Sequence, residues 1–113
     1  MNNYQKLAIE YKDTVLGNLE FDGKEYRFIY TEEFQKLKIQ PLPGIEPPES
    51  KSSVLWAYFQ SRLPNPRSPL YKRLLSQYAL SNDTDDLMLL LGTIGSRVAT
   101  DPFIIVPSKS EIV

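Results

Sequence analysis

The chain contains no cysteine and no histidine. Without cysteine, disulfides and thiolate metal sites are excluded, and a reducing compartment is compatible with the composition. Without histidine, the commonest general base and the commonest metal ligand are both missing. Long apolar runs are missing as well. The N-terminal stretch MNNYQKLAIEYKD alternates charged and apolar residues, unlike a signal peptide or a membrane span, and no later segment qualifies. The expected location is therefore the cytoplasm, with no membrane partner. A Gly-rich phosphate loop, a nucleophile elbow and the catalytic and metal-binding motifs of kinases are also absent. The expectation is a protein that is not an enzyme and that needs no cofactor and no metal.

What is present is 113 residues with 42% hydrophobic and 24% charged content, ordinary values for one globular domain. A chain of this length buries roughly two-thirds of its unfolded surface, enough for a core without staples. One domain is expected over 1–113, with a core of about 6–107 and a flexible tail at 108–113. The net charge of −1 is unevenly distributed. Residues 1–50 and 83–113 are each net −3, whereas residues 51–82 contain Lys51, Arg62, Arg67, Lys72 and Arg73 and no acid. That basic third biases docking towards an acidic partner surface.

The first part reads as a β-meander. Leu7, Ile9 and Tyr11 alternate with polar neighbours, and Val15, Gly17, Leu19 and Phe21 repeat the pattern. Asp22-Gly23 has the composition of a two-residue type I′ turn, after which Tyr26, Phe28 and Tyr30 share a face. TEEFQKLK is expected to form a helical turn capped by Thr31. The proline-rich IQPLPGIEPPES must be extended or turning and reads as a strap that leads to the helices.

Three helices are expected next. Ser52 or Ser53 caps the first, whose stripe is Leu55, Tyr58, Phe59 and Leu63, with Val54 beside it; Pro64 ends it. Ser68-Pro69 opens the second, with Leu70, Tyr71, Leu74, Leu75 and Tyr78 at helical spacing. SNDTDD supplies caps and first-turn acids for the third, which buries Leu87, Leu90, Leu91 and Ile94 and ends at Gly95. PFIIVP is a closing strand. The predicted fold class is α+β, a small mainly antiparallel sheet packed against about three helices.

Few motifs carry chemistry. Asp85-Asp86 could be named a carboxylate pair, but acids at a helix start are explained by the helix dipole. GTIG, Gly92 to Gly95, matches the GXXG clamp of RNA-binding KH domains only superficially, because just Arg97 is near it; helix ending and close packing account for both glycines. Trp56, the single tryptophan, lies about 100° round the helix from Leu55. It fits a core-edge aromatic and an interface anchor equally. The corner LPNPRSP connects two helices, and its three prolines also make it a rigid loop that can dock without a large ordering cost.

Taken as a whole, the order of these segments resembles the small N-terminal subdomain of HipA-family serine/threonine kinase toxins. The resemblance rests on GNLEFDGKEYRFIY, the proline-rich strap, Tyr58-Phe59 followed by Arg62-Leu63-Pro64, and LLLGTIG before the last strand, over about residues 6–107. Where that family has Glu-Gly after Leu-Pro, this chain has Asn65-Pro66, a stiffer and chemically different tip. The chain also ends where the kinase core would begin, which is similar to HipS, the small subunit of three-component HipBST toxin–antitoxin systems. The resemblance implies an antitoxin that binds and neutralises a HipT-like kinase, with a HipB-like helix-turn-helix protein as a further partner and no direct contact with nucleic acid. It makes the basic corner the candidate partner-binding face: Trp56, Phe59, Arg62, Asn65, Arg67, Ser68 and Tyr71. A structural subunit that completes the kinase fold, or a small nucleic-acid-binding domain, are the alternatives.

Overall fold

The computed structural model describes residues 5–80, 86–98 and 101–107. β1 (Gln5–Tyr11) and β2 (Thr14–Phe21) pair antiparallel through Lys12-Asp13, whose φ angles of 49° and 69° are both positive. Two such residues between paired Tyr11 and Thr14 fit a type I′ turn, which matches the twist of the strands it joins. The turn expected at Asp22-Gly23 is different. There only Gly23 has positive φ, and four residues separate Phe21 from its partner Tyr26. The Asp22 carboxylate accepts from the backbone N–H groups of Lys24 (2.9 Å) and Glu25 (2.8 Å), so a side chain closes this loop. Those two bonds, the Glu25 one foremost, hold the Asp22 carboxyl below its ordinary value of 3.8.

A bulge in β2 corrects the expected alternation. Ile9 faces Gly17 and Glu10 faces Val15, leaving Leu16 unpaired on the strand. The extra residue reverses the side-chain phase. Leu16 is fully buried, and Val15, expected on the inner face, lies beside Glu10 instead. β3 (Tyr26–Tyr30) alternates as its sequence requires, with Tyr26, Phe28 and Tyr30 all buried. Gly17 is needed because the Phe28 ring occupies the space a Cβ would take.

Thr31 stands at the N-cap position of α1 (Glu32–Leu37) but does not cap it; its hydroxyl donates to the Val15 carbonyl at 2.6 Å. The strap that follows sends Leu42 and Ile45 into the core. Its anchor is the Tyr30 hydroxyl, which donates to the Ile45 carbonyl (2.6 Å) and accepts from the Leu42 N–H (3.0 Å). Burial raises the Tyr30 phenol above its ordinary 10.0.

The strap ends in an element the periodicity did not reveal, β4 (Glu49–Ser52), paired with β3. Ser52 therefore belongs to a strand and caps no helix. Its hydroxyl accepts from the Val54 N–H and donates to the Val54 carbonyl, and Val54 itself is 63% exposed rather than part of a buried stripe. α2 (Ala57–Gln60) is one turn long, with Trp56 at its N-cap position. α3 (Pro69–Gln77) starts as expected: Pro69 is at the first position and Ser68 Oγ accepts from the Tyr71 N–H. Tyr71 and Leu75 are buried, whereas Leu70 and Tyr78 of the expected stripe are exposed. α4 (Leu87–Gly92) is capped by Asp86, which accepts from the Leu89 N–H at 3.1 Å. It ends at Gly92 with Thr93 at the C-cap position, one residue short of the end that Gly95 at C′ would give, and it buries Met88 as well as Leu90 and Leu91. The remaining cap candidates of SNDTDD, Asp85 among them, and the tail from 108 onward lie outside the described residues.

β5 (Ile104–Pro107) completes a five-stranded sheet in the order β4-β3-β2-β1-β5, antiparallel at every step. The fold is α+β. The inner face, with Leu7, Ile9, Leu16, Leu19, Phe28 and Ile105, forms one core with Phe59 of α2 and Met88 and Leu91 of α4. The opposite side of α4 contributes Leu90, and the turn after it Ile94, to a second cluster with Tyr71 and Leu75 of α3. Truncation should therefore separate neighbouring residues: Leu16→Ala should cost about 2–5 kcal/mol in urea unfolding. Val15→Ala should cost well under half as much, and equal losses would contradict the bulge.

Candidate functional site

The corner at 64–69 is held by its own short polar bonds. Asn65 Oδ1 accepts from the Arg67 N–H (2.9 Å), the Asn65 carbonyl accepts from the Ser68 N–H (2.9 Å), and Ser68 caps α3. Prolines fix the φ angles between these bonds. The loop is thus locally satisfied, and Asn65 and Arg67 are exposed at its tip.

Directly before the corner lies Arg62, which is only 3% exposed. Its guanidinium faces the Asp101 carboxylate at 3.1 Å. It also donates to the carbonyls of Gly95 (2.8 Å), Ser96 (2.8 Å) and Phe103 (3.1 Å), and to the Tyr58 hydroxyl (3.3 Å). The Tyr58 hydroxyl in turn donates to Asp101 at 2.6 Å. Burial first, and then the Asp101 carboxylate, push the Tyr58 phenol far above its ordinary 10.0. A buried cation is tolerable when its charge is paired and its donors are used, and both conditions are met here.

The seven residues expected at a partner surface therefore separate. Phe59 is fully buried in the main core, Tyr71 is buried in the second cluster, and Arg62 faces the interior, so these three support the corner from behind. Asn65 and Arg67 are exposed, Ser68 is partly exposed, and Trp56 is half-buried against the core. The structure groups Asn65, Arg67 and Ser68 in one loop and adds Lys72 and Arg73 on exposed positions of α3. The buried role of Arg62 has a sequence signal: Leu55, Phe59 and Arg62 follow i, i+4, i+7 spacing, which places the arginine on the apolar stripe. Asp101, 39 residues away in the chain, had none.

Gly92 and Gly95 are explained by packing. A Cβ at Gly92 would stand 3.1 Å from Leu7 Cδ2, and one at Gly95 3.0 Å from Leu63 Cδ2. Asp86 is bound by the Gln5 side-chain amide at 3.2 Å besides capping α4. Beside it a cavity of about 330 Å³ is lined by Gln5, Lys6, Leu89, Gly92 and Pro107, among others. Among the described residues no three acidic side chains are placed to hold a metal ion, and no helix is long and apolar enough to cross a membrane.

The family model described as the HipA N-terminal domain matches residues 7–99. The chain belongs to the HipA N-terminal domain family. No curated protein matches it. The match runs from within β1 to beyond α4, including the corner and Arg62, and it is consistent with a toxin–antitoxin context with a kinase partner.

Two outcomes follow from the arginine network. Arg62→Met should cost about 3–5 kcal/mol, because it strands a largely buried Asp101 and leaves carbonyls unbonded. The same change combined with Asp101→Leu should be less destabilising than Arg62→Met alone, as read by urea midpoint. Tyr58 is the largest contributor to alkaline behaviour, with Tyr26 and Tyr30 also held above their ordinary value by burial. The folded pKa of Tyr58 lies above the unfolded one, so its contribution is complete below about pH 10 and declines as pH rises past the unfolded value. Tyr58→Phe should lower stability by roughly 1 kcal/mol at neutral pH. It should also flatten the loss above pH 10, and an unchanged alkaline slope would refute the assignment.

Proposed function

We propose that this HipA N-terminal domain acts as an antitoxin-like interaction protein that binds and neutralises a HipT-like serine/threonine kinase, in a complex that can also hold a HipB-like DNA-binding protein. The observation that carries the proposal is the family match over residues 7–99 together with the corner that match contains. A domain of this family has a kinase as its natural neighbour, and the surface that meets the kinase has to be ordered before contact. The corner meets that requirement. Its bonds are satisfied internally, and Asn65 and Arg67 project from it while Trp56 stands half-exposed at the start of α2. Rigid, preformed contact elements avoid the cost of ordering on binding, and arginine and tryptophan supply a large share of binding energy at interfaces.

In this reading the chain is not an enzyme and needs no cofactor. Its contact charge is the exposed group Arg67, Lys72 and Arg73 rather than all five bases of the central third, because Arg62 is internal and Lys51 lies on β4. Inhibition follows from the corner lying against the kinase near its nucleotide-binding lobe and holding it in a non-productive arrangement.

Co-expression with an active kinase of this type tests the idea. Growth should be rescued, and purified kinase should lose autophosphorylation when the chain is added. A subunit that merely completes the kinase fold would instead raise activity. Arg67→Glu, which touches neither core cluster, should weaken binding by about tenfold or more in a pull-down or calorimetric titration, the scale of a single interface hot spot. Unchanged affinity would remove the corner from the interface, and a salt-dependent shift of DNA or RNA by the isolated chain would favour nucleic-acid binding instead.

A further inference from the structure

The two edges of the sheet are treated differently. At β5 the outward side is closed. The Ile105 N–H donates to the Ser96 carbonyl (3.0 Å), the Ser96 hydroxyl donates to the Ile105 carbonyl (2.5 Å), and Pro107 has no N–H to offer. At β4 it is open. The Tyr30 N–H donates to the Pro48 carbonyl, and Phe28 and Tyr26 face Ser50 and Ser52. Antiparallel ladders alternate. Pro48, Ser50 and Ser52 therefore bond towards β3, and the peptide groups of Glu49 and Lys51 point away from the sheet. Neither makes a backbone hydrogen bond beyond the sheet among the described residues.

The side chains of Glu49 and Lys51 share the outer face of the sheet and are exposed. Lys51 stands directly opposite Arg27, a like-charge pair across the strands, and no ion pair among the described residues engages it. The Arg27 charge is already met by Glu49 (2.6 Å) and Glu20 (4.0 Å), so it is Lys51 that has a place for a further carboxylate, and the exposed Glu49 carboxylate reaches it only from another strand laid along this edge.

We propose that β4 pairs antiparallel with β4 of a second copy of this chain, forming a two-fold dimer with a continuous sheet. Three registers bring the outward peptide groups into phase. One superposes Glu49 on Glu49 of the other copy, and another superposes Lys51 on Lys51. The third sets Glu49 opposite Lys51 twice, with Ser50 facing Ser50 on the axis. Only this last register exchanges opposite charges, and it is self-complementary, as a two-fold interface must be. Pro47 and Pro48 before the strand, and the departure of the chain after Ser52, keep the contact short. It therefore closes as a dimer and does not propagate into fibres.

A contact this small is weak, with a dissociation constant on the order of 100 μM expected from its limited area. Sedimentation of the isolated chain across roughly 10 μM to 1 mM should show the mean mass rising from one chain towards two. Glu49→Lys and Lys51→Glu should each remain monomeric, since each places like charges in both cross-strand pairs. An equimolar mixture of the two variants should dimerise, because one strand is then wholly basic and the other wholly acidic. Lys51→Glu leaves the Arg27–Glu49 ion pair in place and its circular dichroism should match the parent, whereas Glu49→Lys removes that pair, so its circular dichroism and urea midpoint check that β4 still pairs with β3. A parent monomeric throughout, single variants that dimerise like the parent, or a mixture that stays monomeric would each overturn the proposal. The experiment needs no kinase, so its outcome is independent of the antitoxin reading.

Discussion

The guanidinium of Arg62 is the point at which the irregular half of the molecule is fastened. α2 is a single turn and α4 is under two, far shorter than a helix that is stable on its own. The segments that follow them, around Gly95, Ser96 and Phe103, present carbonyls that belong to neither helix nor ladder. Buried acceptors of that kind need donors. A planar fork with several N–H groups at fixed angles can serve carbonyls from two separate segments and still face a carboxylate. A lysine at the same position would bring its charge to one point and leave part of this set unbonded. Arg62 also joins sequence-distant pieces: the end of α2, the turn after α4 and the approach to β5.

That internal role changes what the basic third of the sequence means. Read linearly, residues 51–82 are one block of positive charge. In three dimensions one charge is neutralised inside, one lies on the edge strand, and the remaining three face outward on the corner and α3. The corner gains definition from the same arrangement. Its base is held by a buried ion pair and its tip by the Asn65 and Ser68 bonds, so Arg67 projects from a loop with little freedom left to lose.

Local pattern foretold the meander and the closing strand, since Leu7, Ile9, Tyr26, Phe28 and Tyr30 keep a strict two-residue period. Ser68-Pro69 announced α3 because cap and first-turn chemistry depends only on neighbours. The misses share one cause, which is that they depend on residues far apart in the chain. The bulge at Leu16 is set by how β1 lies across β2. β4, with the sequence ESKS, has no apolar face and becomes a strand only because β3 offers an edge. Leu70 and Tyr78 have helical spacing, but α3 meets a narrow partner surface made by Leu90 and Ile94, which buries Tyr71 and Leu75 and only partly covers Leu74. Of the candidate site, the exposed Arg67 and Asn65 were legible from the loop's composition. Arg62 was misread because charge was taken to imply exposure, when its spacing from Leu55 and Phe59 implied burial.

The same network explains why the sheet has one usable edge. Ser96 can reach β5 because its own carbonyl is fixed by Arg62, and its hydroxyl and backbone then occupy both outward groups of Ile105. An apolar strand such as Ile104–Val106, left bare, would be a template for indiscriminate pairing. Sealing it from within leaves β4, whose outward residues carry opposite charges and so discriminate by register. The apolar edge is thereby withdrawn from contact, and the one that stays open carries its own selectivity.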